Sequence, residues 1–207
     1  MTTLIIARHG NTFGPGDTPT RVGKNTDLPL VEKGEEQARA LGRYLATHRM
    51  IPDVVYSSNL QRTLQTAKIA IKASKITNPV FQLDIFDEVD YGPDENKPED
   101  EVIARIGKQA IQDWDERAIV PQGWKINPDE VIQNWRLFAE QICAHNDNET
   151  VLVVTSNGIA RFAPYITGNF EQFRAKHALK LSTGSVGILK HDFDSGWRVD
   201  SWNVKPE

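Results

Sequence analysis

The residues best suited to chemistry are Arg8 and His9, which precede Gly10 and come directly after a short apolar run. A histidine beside an arginine at the exit of a buried strand can present an imidazole nitrogen to a phosphoryl group, whose charge the guanidinium neutralises. Gly10 allows the backbone to approach a ligand closely. The triplet also occurs by chance, and a single histidine is more often structural than catalytic, so a second element is needed.

A second arginine is predicted at the same edge of the molecule. Ser57 and Ser58 follow another short apolar run, and Arg62 falls in the first turn of the helix that comes next. The positive end of the helix dipole adds to the charge of this arginine. We therefore expect Arg8 and Arg62 to converge on one anionic group.

The elements that position these residues follow from the alternation of apolar runs with amphipathic stretches, which predicts a mainly parallel sheet. Strands are predicted over 4–7, 54–56, 80–83, 150–155, 179–181, 185–189 and 197–202, the last in a glycine-turned hairpin. Helices are predicted over 32–48, from Leu60 onward, over 99–116 and 129–145, and after the turn at 156–158. The expected fold class is a three-layer α/β/α arrangement with helices on both faces, whose sites lie at the carboxyl ends of the strands.

The segment 84–127 interrupts this alternation with carboxylates, glycines and prolines. We interpret it as a small helical cap inserted over the carboxyl edge of the sheet, within one domain that covers 1–207; an independent linker is the alternative. Positions 94–116 carry eight acidic and three basic residues. This charge disfavours a polyphosphorylated or polymeric substrate and favours a small phosphorylated metabolite.

Composition excludes several classes of protein. The chain has 207 residues, of which 39% are apolar and 25% are charged, and its net charge of −4 draws it neither to nucleic acid nor to an anionic membrane. The single Cys143 excludes an internal disulfide. The apolar runs are far shorter than the ~20 residues that span a bilayer, and the first residues lack a secretory pattern, so a cytoplasmic location is the default.

Further motifs accompany the two arginines over essentially the whole chain. They are Asn11-Thr12 after Arg8-His9-Gly10, Asp27-Leu28-Pro29-Leu30, Gly34, Gln37-Ala38, Tyr56-Ser57-Ser58, Leu60, Thr63, Gln65-Thr66-Ala67, Glu88 and Tyr91-Gly92. Each motif is weak, but the combination resembles the phosphoglycerate mutase-like branch of the histidine phosphatase superfamily. The resemblance implies that His9 is a nucleophile that becomes phosphohistidine and that Arg8 and Arg62 clamp the phosphate. It also implies that Glu88 protonates the leaving alcohol, and it implies no metal and no organic cofactor.

The acid role of Glu88 also has a sequence-based argument. Other carboxylates flank this residue closely in sequence, and nearby like charges raise the pKa of a carboxyl group, which suits a proton donor near neutral pH. A solvated acidic loop explains the same composition. Only the match to Glu-x-x-Tyr-Gly favours catalysis.

The chain departs from the family pattern at Asn157, which stands where the resemblance leads us to expect a second histidine. The Asn157 amide can still donate a neutral hydrogen bond to phosphate, although losing a charged donor costs about 1.5–3 kcal/mol. Asn11, which stands where glutamate is commoner, and Thr12 are candidates for substrate binding. Arg21 is another, although a solvated loop face explains it equally well. Arg161 falls one position closer to the turn than the usual family arginine.

We therefore expect a phosphatase that hydrolyses a small phosphomonoester through His9. Its activity is expected to be reduced because Asn157 replaces a histidine. The alternatives are a phosphoglycerate mutase-type phosphotransferase and a weakly active or noncatalytic phosphate-ligand binding protein. The presence of both His9 and Glu88 favours an enzyme, because pure binding needs neither a nucleophile nor an acid. The remaining histidines are scattered without paired metal-ligand spacing, so no metal site is expected. The residues do not define the oligomeric state.

Overall fold

A single mixed sheet forms the centre of the computed structural model, which describes residues 1–145 and 148–207. Its strands are β1 (Thr2–Arg8), β2 (Val54–Ser57), β3 (Val80–Gln82), β4 (Thr150–Thr155), β5 (Val186–Asp192) and β6 (Gly196–Val204). They lie in the order β3-β2-β4-β1-β5-β6. The pairs β1–β4, β2–β4 and β2–β3 are parallel, whereas β5 is antiparallel to both β1 and β6. The predicted mainly parallel sheet is therefore confirmed.

Helices cover both faces of this sheet. They are α1 (Glu32–Thr47), α2 (Gln61–Ala73), α3 (Glu99–Ile106), α4 (Lys108–Arg117), α5 (Pro128–His145), α6 (Asn157–Ala160) and α7 (Phe170–Lys176). Leu4 and Ile6 of β1 belong to one apolar core, and Ile5 and Ala7 belong to the other. Alternate side chains of a strand point to opposite faces, so an all-apolar strand serves two cores at once. This arrangement confirms the three-layer α/β/α fold class.

Two helical predictions differ from the structure. The helix predicted over 99–116 is divided into α3 and α4 at Gly107, whose φ of 84° lies in the left-handed region that ends helices. The helix predicted after β4 lasts only for α6, and a 3₁₀ segment, Ala163–Thr167, follows it. Pro164 lacks the N–H that a continuing α-helix would need.

The strand predicted over 179–181 is also wrong. Leu179 and Leu181 are buried as the apolar pattern requires, but this segment has no strand partner. The Leu181 N–H instead donates to Asn157 Oδ1 at 2.9 Å. The backbone donor that a sheet would have used is thus taken by a side chain at the start of α6.

The segment 84–127 packs against the long loop that follows β1. Arg21 N donates to Lys97 O at 2.9 Å, and Asn96 N donates to Arg21 O at 2.8 Å. Within the segment, buried Asp94 accepts hydrogen bonds from Trp124 Nε1 at 2.7 Å and from Arg105 Nε at 2.6 Å. Together the loop and the segment wall off the carboxyl ends of β1 and β4. That the segment 84–127 is a cap within one domain stays a prediction.

Among the described residues, no helix combines the length and the apolar character that crossing a bilayer requires.

Candidate active site

A cavity of about 630 Å³ opens where β1 and β4 end. Most of the site residues predicted from sequence line it, namely Arg8, His9, Asn11, Thr12, Arg21, Glu88 and Asn157. Arg62 is fully buried and does not line the cavity, although its charge acts directly on His9. The structure therefore brings together residues from loops that follow three different parallel strands.

His9 extends the line of β1 and is held in one tautomer. Its backbone N–H donates to Thr155 O at 3.1 Å, and its ring Nδ1 lies 2.7 Å from Gly10 O. A carbonyl only accepts, so Nδ1 carries the proton and Nε2 keeps its lone pair. Burial lowers the pKa of His9 well below its ordinary value, and the charges of Arg62 and Arg8 lower it further. The imidazole is consequently neutral near pH 7, which is the nucleophilic form.

Two glycines allow this histidine to sit against α1. A Cβ on Gly10 would overlap the backbone of Gly34, and a Cβ on Gly34 would overlap the backbone of Asn11. Gly10 N also donates to Thr66 Oγ1 of α2 at 3.1 Å. The turn after His9 is thus clamped between two helices, which restricts the position of the imidazole.

Both arginines have a buried Nε donor without a protein partner. Arg8 NH1 donates to Leu181 O at 2.8 Å, while Arg62 NH1 and NH2 donate to Thr26 O and Gly23 O at 2.9 and 3.1 Å. The Nε of both side chains is buried and unpaired. Burial lowers the pKa of both groups, but an arginine starts so high that it stays charged. This part of the cavity is therefore suited to an anion.

Glu88 is hydrogen-bonded to the start of α6 and lines the same cavity. Its Oε1 accepts the Val89 N–H at 2.9 Å, and its Oε2 accepts the Gly158 N–H at 3.2 Å. A Cβ on Gly158 would overlap Oε1, so only glycine lets α6 begin this close to the carboxylate. The negative charge of Glu88 partly offsets the lowering by burial of the pKa values of Arg8 and Arg62.

The carboxylates that flank Glu88 in sequence have partners of their own. Asp87 accepts the Asn59 N–H at 2.8 Å, Asp90 accepts the Gly92 N–H at 2.8 Å, and Asp94 binds Trp124 and Arg105. The expected effect of a like-charge cluster on Glu88 stays a prediction. The argument for an acid at Glu88 rests on its position in the cavity and on the resemblance.

Asn157 begins α6 and presents one end of its amide to the cavity. Its Oδ1 accepts the Leu181 N–H, and an N–H can only be accepted by the oxygen, so this contact fixes which way the amide points. The NH₂ group is the end that remains available to a ligand. The amide thus supplies a neutral donor beside Arg8 and His9.

The three loop residues predicted to bind substrate differ in their contacts. Asn11 and Thr12 line the cavity, and the Asn11 backbone is held by Gln37 Oε1 at 2.8 Å. Arg21 pairs with Glu99 at 2.5 Å, and its guanidinium carbon lies 4.9 Å from the Trp124 ring. The alternative of a solvated loop face for Arg21 is wrong, since this side chain is largely buried in the cavity wall.

Arg161, to which the sequence pattern assigned no role, lines the cavity together with Trp114. The Arg161 guanidinium carbon lies 3.9 Å from the centroid of the Trp114 ring. The available signal is the spacing of Arg161 and Asn157, because residues four apart share one face of a helix. Within the described ranges 1–145 and 148–207, no group of three or more His, Cys, Asp or Glu side chains is arranged to hold a metal ion.

Comparison with known proteins identifies the class that this fold and site define. Residues 4–205 match the model of the histidine phosphatase superfamily (branch 1), and the chain belongs to that family. The predicted resemblance is thereby confirmed.

Individual relatives in sequence include phosphoglycerate mutases. A 2,3-bisphosphoglycerate-dependent phosphoglycerate mutase from Tropheryma whipplei (strain Twist) is 30% identical over 115 residues, which cover 55% of this chain and 51% of the mutase. The chain thus spans about half the length of the first curated relatives it matches.

Solved structures of two phosphatases share the fold. A mycobacterial glucosyl-3-phosphoglycerate phosphatase superposes with a TM-score of 0.77 at 21% identity, covering 98% of both chains. Phosphoserine phosphatase from Entamoeba histolytica gives a TM-score of 0.76 at 20% identity, covering 99% of this chain and 98% of the other. At such identities, the likeness establishes the fold.

Proposed function

We propose that this protein is a phosphatase that hydrolyses a small phosphomonoester through a phosphohistidine on His9. The observation that carries the proposal is the buried, neutral imidazole, whose Nδ1–H is held by Gly10 and whose Nε2 is free to react. Arg8 and Arg62 lie beside it with unpaired Nε donors. Family membership and the phosphatases among the fold neighbours support the same reading.

In the first step, His9 Nε2 attacks phosphorus and the bond between phosphorus and the alcohol oxygen breaks. Glu88, protonated for this step, donates its proton to the departing oxygen, which leaves as a neutral alcohol. Arg8 and the Asn157 amide stabilise the charge on the equatorial oxygens of the phosphoryl group, and Arg62, which does not line the cavity, adds positive charge near His9.

In the second step, water attacks the phosphorus of phosphohistidine and the bond between phosphorus and Nε2 breaks. Glu88, now a carboxylate, takes a proton from the water and returns to its starting form. Phosphate leaves, and His9 regains its lone pair. No metal or organic cofactor is needed to balance these steps.

The cavity is of the size that takes a small metabolite. Its volume of about 630 Å³ lies within the range of small-molecule sites, and a loop and two cap helices limit its outer end. A polymer would have to displace these walls. The acidic cap adds an electrostatic reason against polyanionic substrates.

The phosphoglycerate mutases among the relatives support one further candidate function. A mutase must keep its phosphohistidine away from water and return the phosphoryl group to the bound intermediate. Incubation with 3-phosphoglycerate and a trace of 2,3-bisphosphoglycerate separates the two, because a mutase yields 2-phosphoglycerate and a phosphatase yields phosphate.

Trapping the intermediate tests the nucleophile. Rapid quenching with ³²P-labelled substrate should place an acid-labile, base-stable label on His9, and His9→Ala should lose the label and about a thousandfold or more in turnover. His48→Ala is the matched control, because His48 is an exposed histidine that bonds to Tyr44 O at the end of α1. A label or wild-type turnover that persists in His9→Ala contradicts the proposal and supports a different nucleophile or a binding protein.

A further inference from the structure

Glu95 is a half-buried carboxylate that has no role in the reaction steps described above and does not line the cavity. Its Oε1 accepts the Gly23 N–H at 2.9 Å and the Thr26 hydroxyl at 2.6 Å. Its Oε2 accepts the Tyr91 N–H at 3.2 Å. Three donors from two separate segments of the chain therefore converge on one carboxylate.

The two loop residues that bind Glu95 are the same two that hold Arg62. Arg62 NH1 donates to Thr26 O at 2.9 Å, and its NH2 donates to Gly23 O at 3.1 Å. These bonds occupy both terminal nitrogens and leave the buried Nε unpaired. The position of the Arg62 guanidinium therefore depends on where the residues 23–26 lie.

The residues 23–26 form a turn inside a segment without helix or strand, so contacts with other segments must fix its place. Glu95 binds both ends of this turn, at Gly23 and Thr26, and Lys24 N donates to Val89 O at 3.0 Å. A Cβ on Gly23 would lie 2.3 Å from Glu95 Oε2 and 2.5 Å from Val89 O. Only glycine at this position lets the turn lie this close to the carboxylate.

The charge of Glu95 acts on Arg62 without a direct ion pair between them. A carboxylate bonded to the guanidinium would neutralise it and compete with an anionic ligand. Glu95 instead binds the turn, and its negative charge is one of several that partly offset the lowering of the Arg62 pKa by burial. Arg62 thus keeps its positive charge, which together with that of Arg8 acts on His9.

We propose that Glu95 is a positioning residue, which fixes the turn 23–26 and thereby holds the Arg62 guanidinium beside His9 for phosphoryl transfer. This inference rests on the proposed phosphatase function. A carboxylate suits the position because all three groups that it binds are donors. A glutamine can offer its carbonyl oxygen to the turn, but its NH₂ group cannot accept the Tyr91 N–H.

A double-mutant cycle between Glu95 and Arg62 tests the proposal. The substrate is p-nitrophenyl phosphate, whose leaving group needs no proton, so an effect of Glu95 on the acid Glu88 does not contribute. We expect Glu95→Ala to lower kcat by about 10- to 100-fold, because a small displacement of a group that acts in the transition state has an effect of this size. In an Arg62→Gln protein, the same substitution should lower kcat by no more than about threefold.

Three further variants serve as controls. Glu95→Gln keeps the bonds to the turn, and Thr26→Val removes one of them, so both should lose less kcat than Glu95→Ala. Glu101→Ala removes an exposed carboxylate that pairs with Lys97 on the same segment, and it should leave kcat within about twofold of the wild type. An equal loss from Glu95→Ala with and without Arg62, or a similar loss from Glu101→Ala, would overturn the assignment.

Calorimetric binding of inorganic phosphate decides the inference without turnover, and the stoichiometry of the titration counts the folded molecules. If Glu95 acted only through its charge, Glu95→Ala and Glu95→Gln would both bind phosphate more tightly, because a negative charge is removed near an anion. Displacement of Arg62 predicts the opposite for Glu95→Ala, about 10-fold weaker binding, while Glu95→Gln stays within about threefold of the wild type.

The two experiments separate the inference from the proposed function. If no ester is hydrolysed but Glu95→Ala weakens phosphate binding as expected, the proposed function fails and the positioning of Arg62 is supported. Equal or tighter phosphate binding by Glu95→Ala overturns the inference even if the protein is a phosphatase. A wild-type protein that binds no phosphate overturns both.

Discussion

His9 and Asn157 each have one polar atom held by a backbone group, and this contact decides which atom faces the cavity. Gly10 O takes the proton side of the His9 ring and leaves Nε2, while the Leu181 N–H takes Asn157 Oδ1 and leaves the amide nitrogen. From the residue type alone, either end of each side chain could face the cavity. The backbone contacts leave the His9 Nε2 lone pair as the nucleophile and the Asn157 NH₂ group as the donor.

Asn157→Asp tests the orientation of that amide. The aspartate keeps an oxygen for the Leu181 N–H but replaces the NH₂ donor with a negative charge that faces phosphate. Asn157→Ala only removes the donor and should lose about 10- to 100-fold in kcat/KM. We expect Asn157→Asp to fall below Asn157→Ala in steady-state assays at neutral pH. An aspartate variant that equals or exceeds the alanine variant would mean that the amide nitrogen does not face the phosphate.

The burial of His9 predicts a pH-dependent stability. Its pKa in the folded protein lies below the ordinary value of 6.5, which we take for the unfolded chain. Below that pH the unfolded chain binds the extra proton, so acidification lowers the free energy of unfolding by about 1.4 kcal/mol per pH unit until the folded-state pKa is reached. Above about pH 7.5 His9 no longer affects the free energy of unfolding, because its imidazole is neutral in the folded and the unfolded chain.

Urea unfolding of the wild-type protein and of His9→Asn at several pH values measures this effect. The difference between the two curves cancels the other titrating groups. We expect the advantage of His9→Asn to grow as the pH falls through 6.5. A difference that stays constant with pH would show that His9 is not held neutral by the fold.

Among the elements, α6 has an importance out of proportion to its length. It starts at Asn157, its second residue donates to Glu88, and it leads into Arg161, which lines the cavity. The Asn157 amide and the N–H that holds Glu88 therefore share one short turn. Gly158 makes this possible, because any side chain at that position would collide with the Glu88 carboxylate.

Gly158→Ala should therefore act as an indirect mutation of Glu88. The added methyl group displaces the carboxylate, and loss of an acid slows alkyl phosphates much more than p-nitrophenyl phosphate, whose leaving group needs no proton. We expect a loss of about 100-fold or more on glycerol phosphate and a clearly smaller loss on p-nitrophenyl phosphate. Glu88→Gln is the matched control and should give the same pattern. Equal losses on both substrates would place Gly158 and Glu88 outside the protonation step.

In the whole molecule, the strand order gathers residues that are far apart in sequence. β1 lies beside β4, and β4 lies beside β2, so the loops after these strands meet at one edge with Arg8, Asn157 and the helix that carries Arg62. The chain is acidic overall, with a net charge of −4, yet this edge buries several guanidinium groups. A bound anion should relieve the repulsion among them.

Inorganic phosphate should accordingly stabilise the protein. At about 100 times its Kd, a ligand that binds only the folded state adds about 2.7 kcal/mol, which for a chain of this size corresponds to a rise in Tm of roughly 5–10 °C. Differential scanning fluorimetry with sodium chloride at equal ionic strength separates specific binding from screening. A shift that chloride reproduces, or that Asn157→Asp leaves intact, would indicate nonspecific stabilisation.

Local sequence patterns were enough to predict the fold class, the order of most elements and the centre of the site. Apolar runs and amphipathic periods are local patterns, and they predicted the positions of β1, β4 and α1 closely. A buried strand or helix face needs apolar residues at the same spacing whatever it packs against. The Arg8-His9-Gly10 triplet needed only its position after a strand to be recognised. The carboxyl ends of parallel strands share one edge, so local patterns sufficed to predict that Arg8 and Arg62 converge.

The surroundings of these residues depend on tertiary contacts that local patterns do not predict. Glu88 is bonded to Gly158, 70 residues away, while the carboxylates beside it in sequence turn to other partners. Leu181 gives its N–H to Asn157 and does not form the predicted strand, and Arg161 becomes part of the cavity because α4 brings Trp114 against it. These contacts join segments that are far apart in sequence. They depend on how the elements pack together, and no local sequence pattern predicts them.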